Sequence, residues 1–70
     1  MVHIMATQSE ILRTASLLVN QYGEMAAVGA NIRADHLYAR GDHRGHAVWL
    51  RIAEAADDLL SDHRGNETLH

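Results

Sequence analysis

Apolar residues along this chain recur at helical intervals, and nowhere do strand formers alternate with polar residues over a useful length. Between Thr7 and Tyr22, the residues Ile11, Leu12, Ala15, Leu18, Val19 and Tyr22 fall at i, i+1, i+4, i+7, i+8 and i+11, which draws one apolar stripe along a helix. Thr7 and Glu10 have the spacing of a capping box, in which hydroxyl and carboxylate each satisfy a free backbone amide at the helix start. Leu17 projects away from this stripe. Gly23 can take the left-handed conformation that ends a helix, so the pattern predicts a break there.

From Met25 to Arg40 the pattern supports two stripes. Met25, Val28, Ile32 and Ala39 share one side, and Ala26, Ala30, Arg33 and Leu37 share the other. A helix with two apolar sides is expected to be partly buried on both, packed between neighbours, one of which can be a second copy in so short a chain. Gly41 suits the C-terminal cap of this helix and Asp42 the N-cap of the next. From His43 to Asp62, Gly45, Trp49, Ile52, Ala53, Ala56, Leu59 and Leu60 keep one stripe, with Trp49 expected to anchor the core and Gly65 to end the helix or follow it. Gly45, one turn before Trp49, leaves room for a neighbouring backbone to approach.

The fold expected is therefore all-α, a three-helix unit over about 7–22, 24–40 and 43–62 within a single small helical domain spanning 1–70, with 1–6 and 66–70 disordered. If Gly23 does not break the helix, 7–40 becomes one long helix. The chain is then a two-helix hairpin that must dimerise into a four-helix bundle to bury Trp49.

Length sharpens the question of partners. Seventy residues are near the limit at which one core offsets the entropy of folding. The chain has no cysteine, so neither a disulfide nor a thiolate metal site can support it, and stability must come from packing or self-association. The expected partner is a second copy, with another protein as a further possibility, and Leu17, Met25, Val28 and Ile32 are the interface candidates. The longest apolar stretch, Ile11 to Val19, is interrupted by Arg13, Thr14 and Ser16 and is shorter than the roughly 20 residues that span a bilayer. No membrane association is expected, and with no secretory signal the chain reads as cytoplasmic.

Nine carboxylates face six arginines and there is no lysine, so the broad positive surface of a non-specific nucleic-acid binder is missing. Alanine and arginine without lysine, phenylalanine or proline suggest a GC-rich bacterial genome. Arg40, Arg44 and Arg51 do gather positive charge around the start of the third helix, which makes a compact DNA-binding regulator the alternative function. Glu54, Asp57 and Asp58 follow on the same helix and oppose it, so nucleic acid is not the expected partner. His36, His43 and His46 form the third option, a metal site: His43 and His46 are three apart, a spacing that can direct two imidazoles to one ion, with Asp35 or His36 to complete it. No Glu-x-x-His signature accompanies them. Ser9, Ser16 and Ser61 stand in no nucleophile motif, the glycines form no phosphate-binding loop, and no catalytic residue or cofactor is expected. Arg33, among Ala26, Ala30 and Leu37, is expected to snorkel to the surface or to pair with Asp42 or an acid of the third helix.

Tyr22-Gly23, Ala26, Ala30, Arg33-Ala34-Asp35, Leu37, Gly41-Asp42, Gly45, Trp49 and Ile52, closed by Leu59 or Leu60, resemble short helical proteins of alphaproteobacteria that have no assigned function. The resemblance covers roughly residues 11–60, and the Gly-Asp, Gly and Trp spacing is its most specific part. It implies a bacterial source and supplies no catalytic or binding residue. The function expected from the chain is thus a small helical protein-interaction module, self-associating and without catalysis.

Overall fold

The computed structural model describes the backbone of residues 6–68 and the side chains of residues 6–61. Its regular elements are α1 (Gln8–Tyr22), a single 3-10 turn (Gly23–Met25), α2 (Ala26–Ala39) and α3 (His43–Thr68), with no strand among the described residues. The helix starts follow from local chemistry. The Thr7 hydroxyl accepts from the Glu10 amide at 3.1 Å while the Glu10 carboxylate accepts from the Thr7 amide at 3.0 Å, completing the capping box.

Gly23 ends α1 with φ 58° and ψ −129°, a backbone conformation that side chains disfavour, and the chain then bends through the 3-10 turn into α2. Residues 8–39 are thus helical almost throughout and pack on α3 in an all-helical fold, but Gly23 divides them into two helices. At the second junction Gly41 takes φ 84°. Its amide donates to the Tyr38 carbonyl and the Asp42 amide to the Leu37 carbonyl, both at 2.9 Å, the paired bonds of a Schellman cap.

Residue pairings fix the directions. Ala27 and Val28 lie level with Ala53 to Asp57, while Arg33 and Ala34 reach Trp49 and His46, so α2 runs antiparallel to α3. Gln8 and Ile11 sit beside Arg51, Glu54 and Ala55, and Ser16 to Asn20 beside Leu59, so α1 advances with α3. Ala15 and Ala26 join the same core as Ile52, Ala53 and Ala56, which makes α3 the common support for both halves of the arm.

This core is built of small residues. Ile11, Ala15, Ala26, Ala30, Ala34, Ile52, Ala53 and Ala56 are buried, and among the described residues no large side chain is fully buried. Leu18, Val19, Val48, Trp49 and Leu59 pack around its edge. Several expectations are corrected here. Leu12 and Tyr22, expected on the buried stripe of the first helix, are exposed, and Trp49 is half-buried at the rim rather than a central anchor. Gly65 does not end α3, which continues to Thr68, so Asn66 to Thr68 are helical where disorder was expected. Positions 1–5 and 69–70 lie outside the described residues, while Ala6 packs against the core.

Candidate functional site

The corner between α2 and α3 brings together much of the chemistry that the chain possesses. The Asp42 carboxylate caps α3 by accepting from the Gly45 amide at 2.9 Å. A β-carbon on Gly45 would stand 2.5 Å from that carboxylate, so the room left by this glycine is used by the Asp42 side chain and not by a neighbouring backbone. On the next turn, His46 is half-buried and its Nδ1 lies 2.8 Å from the Ala34 carbonyl. Since a carbonyl only accepts, the proton sits on Nδ1 and that nitrogen donates. The rings of His43 and His46 both pack edge-on against Tyr38, each with centroids 5.0 Å away.

These contacts turn the two histidines to structural use. His36 is exposed on α2 and enters none of them. Among the described residues no three histidine, aspartate or glutamate side chains converge so that they could hold a metal ion, so His36, His43 and His46 do not form the site their spacing suggested. Tyr38, which joins His43 to His46, was not singled out in the sequence because an exposed tyrosine near a helix end carries no periodic signal.

The arginines are dispersed. Arg33 meets an aromatic ring and, among the described residues, no carboxylate: its guanidinium lies 5.4 Å from the centre of the Trp49 ring, a cation–π contact. Arg40 caps the end of α2 and Arg44 lies in the first turn of α3, both exposed. Arg51 lines an open groove of about 440 Å³ between α1 and α3, which it shares with Gln8, Ile11, Leu12, Glu54 and Asp58. Arg44 and Arg51, seven apart, share one side of α3, but Glu54 and Asp58 continue that side with the opposite charge. A phosphate backbone tracking along it would meet repulsion within two turns.

An exposed apolar stripe runs from the end of the 3-10 turn along α2. Its alanines Ala26, Ala30 and Ala34 are at most 1% exposed, while Met25, Val28 and Ile32 on the opposite side are 59%, 45% and 51% exposed. Both sides were expected to be partly buried, and the structure buries only the one carrying small residues. The physical reason is distance: alanine lets α2 approach α3 closely, which leaves no room for the larger side chains between them. Val28 also borders a shallow groove with exposed Leu50 of α3. Leu17 is 56% exposed but belongs to α1.

One member of the α2 surface escaped the sequence pattern. Gly29 is helical, stands between Met25 and Ile32 on the outer side, and a β-carbon added there would meet nothing within 4 Å. Among the described residues no contact calls for glycine at this position, where it costs about 1 kcal/mol relative to alanine. Comparison with protein-family models, with curated proteins and with solved structures finds no match for this chain.

Proposed function

We propose that this chain is a small helical protein-interaction module that associates with a second copy of itself and performs no catalysis. The observation that carries this reading is the inversion of α2, whose alanines face the core while Met25, Val28 and Ile32 face solvent. Large apolar side chains in one stripe are the usual means by which a helix buries itself against a partner, and each contributes about 1.5–3 kcal/mol when fully covered.

A standard interface covers about 800 Å² on each partner. No helix among the described residues is long and apolar enough to cross a membrane. The reading takes the bacterial cytoplasm as the setting, on the strength of the cysteine-free, GC-rich composition.

Light scattering across a concentration series tests it. The mass should double as concentration rises, and Ile32→Glu should keep the chain monomeric with unchanged helical circular dichroism. A wild-type mass that stays at one chain up to millimolar concentration overturns the proposal.

A further inference from the structure

The backbone of one residue separates the bent arm of this chain from a straight one, and we infer that Gly23 is a hinge about which α1 is exchanged between two copies. In the exchanged form residues 8–39 run as one helix about 48 Å long, and α1 of each copy packs on α3 of the other, in the place it otherwise fills in its own chain. This goes beyond the association proposed above and does not draw on the outer side of α2. The first observation behind it is local. Tyr22 (φ −119°, ψ −5°), Met25 (φ −87°, ψ −1°) and Ala26 (φ −58°, ψ −47°) are all right-handed and the turn that joins them is 3-10 helix, so within residues 8–39 only Gly23 has positive φ. Rotating that residue to helical values joins α1 to α2 with small adjustments around it.

Register and direction agree with the exchange. On a continuous helix Ile11, Ala15, Ala26, Ala30 and Ala34 fall within roughly 140° of one another, so the straightened arm still turns every residue that α1 and α2 bury to one side. In the closed chain α1 runs parallel to α3 and α2 antiparallel to it. Straightening therefore sets α1 antiparallel to its own α3, where its contacts cannot re-form. A twofold axis across the straight helix supplies a second α3 of opposite direction. Against that helix α1 is parallel again, and Ile11 and Ala15 regain the core they leave, because the other copy offers the same residues. With only those two residues buried, α1 is also the lighter half of the arm to detach.

Because α1 must leave α3 before it is exchanged, exchange accompanies refolding and not the mixing of folded chains, which separates it from pairing through α2. Gln8 and Arg51 line one groove between α1 and α3, and the chain has no cysteine, so Gln8→Cys and Arg51→Cys on separate chains report exchange when joined by a short bis-maleimide. Both chains carry Ile32→Glu to interrupt the apolar stripe of α2. Chains unfolded together, refolded at millimolar concentration and then diluted should give roughly tenfold more cross-linked dimer than the same chains mixed when folded. Equal yields overturn the exchange, while the mass of the native wild-type chain separately decides the association proposed above. A β-carbon on Gly23 meets nothing within 4 Å, so Gly23→Ala acts through φ alone and should raise the co-refolded yield several-fold. D-alanine at the same position, which prefers positive φ, should lower the yield to that of simple mixing. A yield indifferent to both replacements would mean that Gly23 is not the hinge.

Discussion

Asp42 holds two helices in place with one side chain and one amide. Its amide closes the Schellman cap of α2 and its carboxylate begins α3, so the turn between them spans only Arg40 to Asp42. Asp42→Ala removes the oxygen that the Gly45 amide needs and should cost about 1 kcal/mol, read from the shift of a urea midpoint. Asp42→Asn keeps an accepting oxygen and should cost only a few tenths, so an asparagine variant as unstable as the alanine variant would refute this account of the cap. Residue chemistry of this kind was legible in the sequence: Thr7 with Glu10 and Asp42 at its helix start were read from type and spacing alone. Arg33 was not, because a carboxylate and an indole both attract a guanidinium, and only the packing of α2 on α3 decides which one it meets.

Gly23 and Gly41 divide the chain into its elements, and they are not equivalent. Gly41, at φ 84°, is an ordinary helix stop, whereas Gly23 combines φ 58° with ψ −129° to send the chain back along α3. Gly23→Ala should therefore lose roughly 1–3 kcal/mol of stability, measurable by thermal or urea unfolding. An undiminished stability would mean that α1 and α2 fuse into one helix without loss. Element boundaries could be read from the sequence because glycine and capping residues act locally. The buried side of α2 could not, since its two stripes carry comparable apolar character, and the choice between them turns on how closely α3 approaches. Helical periodicity counts apolar residues and is blind to their size.

The molecule as a whole rests on few large contacts. Ile11 and Ile52 are its only buried side chains larger than alanine among the described residues. Ile52→Ala should cost 2–5 kcal/mol, a large part of the 5–15 kcal/mol typical of a folded domain, and loss of the cooperative unfolding transition at micromolar concentration is the expected result. A transition that survives with less than 1 kcal/mol lost would show that the alanine-lined core is firmer than its composition implies. The same scarcity of large buried groups has a consequence in the cell. Proteases remove chains in proportion to the time they spend open, and covering the outer side of α2 with a second copy shortens that time by mass action. Were the proposed second copy to cover α2, turnover of the chain would fall as its own abundance rises, and low expression would be cleared while higher expression persisted, a floor on steady-state level set by nothing more than alanines facing inward.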